Sequence, residues 1–316
     1  MDSGRFPIID GHNDAMLWGL VHARKFARRT TKGHMDLPRL RDCGFQAGVF
    51  AVCPTSRKFM IDTFTWFWLR QVAKPENGLF HVTRFEDFEA ARLDGKIGAV
   101  MQFEGAGGID KDFKVLERSF ERGMRVLGIT WADTNKFGTG ARFSDPQKPT
   151  GLTGLGRDLV VKAQDMGITI DVSHLNEPSF WDVMEVTRRP VVATHSNARA
   201  VCDHPRNLTD EQVKAIAEKE GTIGINFSVK FLDPGQDKKM GLDVLKRHVD
   251  HLVDVGGIDT VALGADYDGT GVPDCVRDCT AYPVFLSYLL EHGYSDAEVK
   301  KIAGENLLRA FKATWA

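Results

Sequence analysis

The chain has 316 residues, 42% hydrophobic and 27% charged, with a formal net charge of −2 and a pI near 6.6. This composition belongs to a globular protein with a sizeable core and excludes an intrinsically disordered chain. No basic stripe interleaved with aromatics is present, so neither a nucleic-acid nor a membrane partner is expected, and no apolar run approaches the roughly 18 residues needed to span a bilayer.

In chain order, the opening MDSGRFPIIDGHND lacks the charged and apolar regions of a secretory leader, which makes a cytoplasmic location the expectation. Arg24, Lys25, Arg28 and Arg29 read as a solvated face. Five scattered cysteines, Cys43, Cys53, Cys202, Cys275 and Cys279, do not form a disulfide framework. Met60, Phe64, Phe67 and Trp68 in FMIDTFTWFWL fall at helical spacing and read as core, with a subunit interface, and so a homodimer, as the alternative. GLTGLG at 151–156 has no following Lys and Ser/Thr, so it reads as a turn into a helix rather than a phosphate loop.

Eight apolar, β-branched segments predict strands: Phe6–Ile9, Gln46–Val52, Ile97–Phe103, Val126–Thr130, Ile168–Val172, Val191–Thr194, Thr222–Phe227 and Thr260–Gly264. Helical patterns such as Lys114–Arg122, Gly156–Met166, Asp210–Lys219 and Lys239–Val255 lie between them. Strand alternating with helix requires a parallel sheet. Eight such strands with no linker or composition break predict one domain over 1–316, a closed (β/α)₈ TIM barrel with its active site at the C-terminal ends of the strands.

That edge is where the chemistry-bearing residues fall. The first strand runs into Asp10-Gly11-His12-Asn13-Asp14, the third into Gln102-Phe103-Glu104-Gly105, the fifth into Asp171-Val172-Ser173-His174, the sixth into Thr194-His195-Ser196 and the eighth into Asp266-Tyr267-Asp268-Gly269. Singly, each has a structural alternative: a hydrogen-bonded His–Asp pair, a buried histidine, a helix-capping glutamate. Together, His12, Asp14, Glu104, His174 and His195 form an imidazole and carboxylate set suited to zinc, and a carboxylate can bridge two ions about 3.5–4 Å apart. Asp10 and Asp171 read as supports that orient neighbouring ligands or loops. The other histidines read as structural, and Cys275 and Cys279 lack the second pair a cysteine metal site needs.

These segments, with Thr194-His195-Ser196-Asn197-Ala198-Arg199 and Arg206-Asn207-Leu208, resemble the membrane (renal) dipeptidase family of the amidohydrolase superfamily, in the right order over almost the whole chain. The resemblance implies two zinc ions per chain: His12 and Asp14 on one, His174 and His195 on the other, and Glu104 bridging both along with a hydroxide. It implies that Asp266 moves the proton from that nucleophile to the leaving amine, and that Arg206 binds the C-terminal carboxylate of a small peptide substrate, a surface salt bridge being its structural alternative. The implied activity is zinc-dependent dipeptide hydrolysis, with a C-terminal D-residue among the tolerated substrates.

Trp131 stands where the mammalian members have a histidine that contacts the substrate carbonyl. An indole donates but cannot accept a proton, so Trp131 reads either as a donor to substrate or as an apolar pocket wall. With neither leader nor apolar tail, the chain resembles the soluble bacterial members. Two other functions fit the same residues: an amidohydrolase of N-acyl amino acids or other amide or lactam substrates, and a noncatalytic barrel that binds a metabolite or partner. The full ligand set together with Asp266 argues against the last.

Overall fold

The computed structural model describes residues 6–141 and 150–315, so residues 1–5 of the leader reading lie outside it. Every predicted strand is present, in one parallel sheet: β1 (Ile8–Asn13), β2 (Phe45–Val52), β3 (Leu79–Val82), β4 (Ile97–Glu104), β5 (Met124–Gly128), β6 (Thr169–Asp171), β7 (Val191–Ser196), β8 (Thr222–Ile225) and β9 (Val261–Leu263). β2 pairs with both β1 and β4, and β1 pairs with β9, so eight strands close into a TIM barrel with the helices outside.

The ninth strand, β3, was not expected. It pairs with Ile97–Val100 of β4, on the flank where β5 pairs with Met101–Glu104. An eight-residue β4 has room for both neighbours along one edge, so β3 adds to the sheet without widening the barrel.

Inside the barrel, Ile9, Val49, Val100, Val126, Val192 and Ala262 pack against Leu307, Ala310 and Phe311 of the helix Asn306–Trp315. This apolar plug fills one end. The strand ends that carry polar residues are left at the other. Phe311 is fully buried, and its truncation to Ala should cost about 3–5 kcal/mol.

The helix Lys58–Val72 buries a stripe of Ile61, Thr65, Trp68 and Val72. Of the residues expected there as core, Trp68 is buried while Met60, Phe64 and Phe67 are half-buried; Phe59 and Trp66, seven positions apart, face outward. Thr153 caps the helix Gly154–Asp165 by accepting from Gly156 N at 3.0 Å, so GLTGLG is a helix entry. Among the described residues no helix is long and apolar enough to cross a membrane.

Candidate metal centre and active site

Two irregularities aim the histidines. On β7, Val191 and Ala193 belong to the outer core and Val192 to the barrel interior, so strict alternation would turn His195 outward. A register shift between Ala193 and Ser196 against β8 reverses that, and a matching shift between Asp10 and Asn13 of β1 falls at His12. Asp14 lies beyond the strand, at the N-cap position of the helix Ala15–Val21 with φ −106° and ψ 19°, and this turn sets its carboxylate beside His12.

The structure brings the five candidate ligands and Asp266 together. His12 Nε2 lies 3.4 Å from Asp14 Oδ2, 3.8 Å from Glu104 Oε1 and 3.9 Å from Asp266 Oδ1. Glu104 Oε1 is 2.9 Å from His174 Nε2 and 3.8 Å from His195 Nε2, and those two nitrogens are 2.9 Å apart. Glu104 thus sits between the His12 side and the paired imidazoles.

A buried network fixes which ring nitrogens face inward. Asp171 accepts from Gln102 Nε2 at 2.7 Å, Thr194 Oγ1 at 2.7 Å and Ser173 Oγ at 2.6 Å. A carboxylate only accepts, so the Gln102 amide oxygen is turned to His12 Nδ1 (2.8 Å) and the Thr194 hydroxyl oxygen is left to accept from His195 Nδ1 (2.8 Å). Both imidazoles therefore carry a hydrogen on Nδ1 and turn Nε2 toward the cluster. Asp171 is the support expected of it, acting through Gln102 and Thr194, to which the sequence had assigned no role. Asp10 accepts from Ala265 N at 2.8 Å and so holds the chain that leads to Asp266.

Electrostatics make the same demand for positive charge. Burial opposes a charge on His12, but the carboxylates of Asp14, Glu104 and Asp266 beside it outweigh that and hold its pKa well above the usual value. Burial, with the positive charges around them, keeps His174 and His195 well below theirs, as neutral rings. His12 Nε2 is buried with no hydrogen-bond partner. Neutral imidazoles, an orphaned ring nitrogen and three carboxylates converging on one point are a donor set that fits divalent metal, and they form two overlapping groups, His12–Glu104–His195 and His12–Asp14–Asp266. Cys275 and Cys279 are in neither group. Cys53, which carried no signal in the sequence, lies beside Glu104; burial and the nearby carboxylates raise its pKa, so it stays a thiol.

Asp266 has left-handed backbone (φ 60°), and its Oδ2 accepts from Asn226 Nδ2 at 3.0 Å. Burial pushes its pKa up to about 7, against the pull of His12. A Cβ on Gly269 would lie 2.2 Å from Asp14 and 2.3 Å from Asp266, so only glycine lets the two carboxylates close there. Arg206 is buried, donates to His195 O at 3.2 Å, and leaves Nε and Nη1 without partners among the described residues; the surface salt bridge is not what it forms. A cavity of about 430 Å³ joins Asp14, Glu104, His174, Arg206 and Asp266. Trp131, 41% exposed, lines it and also a second cavity of about 550 Å³ that runs past Cys53, Thr55 and Lys136.

The chain is 40% identical over 234 residues to a Klebsiella pneumoniae protein described as an uncharacterized protein in the pqqA 5′ region, covering 72% of this chain and 86% of that one. It is similar to the crystal structure of dipeptidase AC, a metallo peptidase of family M19, with TM-score 0.92 and 32% identity over 98% of this chain and 99% of that one. It is also similar to a Rhodobacter sphaeroides metallo peptidase liganded with a phosphinate mimic of the dipeptide L-Ala-D-Ala, with TM-score 0.89, 32% identity and the same coverage. The model of the membrane dipeptidase family, peptidase family M19, matches residues 3–316, and the chain belongs to that family of metal-dependent hydrolases acting on peptide bonds.

Proposed function

We propose that the chain is a zinc-dependent dipeptidase that cleaves free dipeptides, including those with a C-terminal D-residue. The observation that carries this reading is Arg206: a buried guanidinium that lines the cavity of the acidic cluster and has two nitrogens unpartnered among the described residues. A buried cation of this kind wants a carboxylate, and the planar fork accepts one bidentately.

His12 and Asp14 would hold one ion, His174 and His195 the other, with Glu104 shared. Zinc held there would supply Lewis acidity and a hydroxide nucleophile near neutral pH. The chain's own groups do the rest. Asp266 takes the proton released at the nucleophile and returns it to the leaving amine. Its carboxylate, which lines the same cavity, would also meet the substrate's amino group. Trp131 forms a wall beside His174, their ring centroids 6.0 Å apart. Tolerance of a D-residue draws support from the mimic bound by the Rhodobacter sphaeroides relative.

The test is a screen of zinc-loaded protein against L,L- and L,D-dipeptides and matched N-acyl amino acids. Dipeptides of both kinds should turn over, and the N-acyl compounds, which lack a free amine for Asp266, should be poor. N-acyl amino acids cleaved as well as dipeptides would instead make the chain an N-acyl amino acid hydrolase.

A further inference from the structure

The cavity holds a second cation that the hydrolytic chemistry does not use. Lys230 lines it together with Arg206, Glu104 and Asp266, and among the described residues Lys230 and Arg206 are its one lysine and one arginine. Lys230 is exposed, and among the described residues no ion pair or hydrogen bond engages its ammonium. The cavity's remaining acid, Asp268, already has a cation, since Arg24 Nη2 donates to it at 2.8 Å.

The mount of Lys230 is rigid although its side chain is not. It lies on the short helix Val229–Leu232. Val229 N donates to Gly271 O at 3.0 Å, Asn207 Nδ2 to Phe231 O at 2.8 Å and His248 Nε2 to Leu232 O at 2.9 Å, and the Ser228 and Thr270 hydroxyls meet at 2.8 Å. Asn207 follows Arg206 and Phe231 follows Lys230, so that bond stitches the two cation-bearing loops together. The Arg206 guanidinium also sits 5.4 Å from the Phe231 ring centroid. The two cation-bearing loops therefore meet at the rim of a cavity that Asp14, Glu104 and Asp266 also line.

A dipeptide has one C-terminal carboxylate, which Arg206 takes. A second carboxylate that reached Lys230 starts from the same residue, because the helix that carries Lys230 is bonded to the loop of Arg206, whereas the dipeptidase reading gives the amino end to Asp266. We propose that Lys230 selects dipeptides whose C-terminal residue has an acidic side chain, Asp or Glu. A flexible lysine serves as a point charge for either length. The inference rests on the dipeptidase reading.

The experiment measures kcat/KM for Ala–Glu and Ala–Gln, and the dissociation constants of the two corresponding phosphinate mimics, in the zinc-loaded wild type, Lys230→Met and Lys230→Glu. A partly solvated, salt-screened pair should favour Ala–Glu about three- to tenfold at low salt and less at high salt. In Lys230→Met the ratio should fall to about one, and Lys230→Glu should invert it, in turnover and in binding alike. A Glu/Gln ratio that is the same in wild type and Lys230→Met while both dipeptides are hydrolysed would overturn the role of Lys230 and leave the dipeptidase reading intact. Hydrolysis of neither dipeptide by the wild type would overturn both.

Discussion

Arg206 Nη2 donates to the carbonyl oxygen of His195 at 3.2 Å, so the residue read as the carboxylate anchor is braced against the strand end of a candidate metal ligand. Burial pulls its pKa down to about 10, with the charges of Asp266, Asp171 and Glu104 acting the other way, and the group stays cationic at neutral pH. An unpaired buried charge of this kind is costly, and a substrate carboxylate would relieve that cost.

Removing Arg206 should therefore hurt only substrates that carry the carboxylate. Losing one partner of a desolvated charge pair costs about 2–5 kcal/mol. At about 1.4 kcal/mol per tenfold, kcat/KM for a free dipeptide should fall roughly 30- to several thousand-fold in Arg206→Ala. The C-terminal amide of the same dipeptide should be poor in wild type and change little in the variant. Equal losses on acid and amide would make Arg206 a brace for His195 and nothing more.

Asp266→Asn keeps the hydrogen-bonding shape toward Asn226 but cannot carry a proton. Turnover should drop about 100- to 10,000-fold, as for other general acid/base groups, while elemental analysis finds the metal content unchanged. Near-normal kcat in a metal-replete variant would remove Asp266 from proton transfer.

Gln102 passes the orienting effect of Asp171 to His12. Gln102→Leu leaves His12 Nδ1 and Asp171 each short of a partner, and metal affinity measured by chelator competition should fall about 10- to 100-fold. The metal-free variant should keep its barrel secondary structure by circular dichroism. An unchanged affinity would mean that the ring of His12 is held by packing alone.

The residues that end strands were legible because the chemistry of a TIM barrel collects at one edge, and even Asp171 could be read as a support from its place on β6. Register was not legible. The shifts that turn His12 and His195 inward belong to pairings with β2 and β8, not to the local pattern. β3 was missed because Leu79–Val82 is four residues long and carries a histidine, too little for periodicity to register. Gln102 and His12 are 90 positions apart, and Asn226 and Asp266 are 40 apart, so their contacts follow from barrel closure and from no motif. The burial of Arg206 and its nearness to Lys230 likewise depend on two loops meeting in space.

His248 offers a test of the scaffold. It is buried in the helix Leu242–Gly256, accepts from Ala198 N at Nδ1 (3.2 Å) and donates to Leu232 O at Nε2 (2.9 Å), so it is neutral and fully bonded and ties that helix to the turn that leads from His195 toward Arg206. Burial lowers its pKa to about 4 from the usual 6.5. Between those values the unfolded chain takes up a proton that the folded chain refuses. Stability that is fully present above about pH 6.5 should therefore fall as the pH drops toward 4, by up to about 3 kcal/mol. Denaturant melts of His248→Gln should show a shallower slope across that window. An identical slope would place the titrating groups elsewhere.

The central claim is that zinc held by His12, Asp14, Glu104, His174 and His195 hydrolyses dipeptides. It is tested most directly by stripping the protein of metal, adding zinc back stepwise and following Ala–Ala hydrolysis. The metal-free protein should be inactive, and activity should rise to a plateau near about two equivalents per chain. Full activity in the stripped protein before any zinc is added would contradict the account.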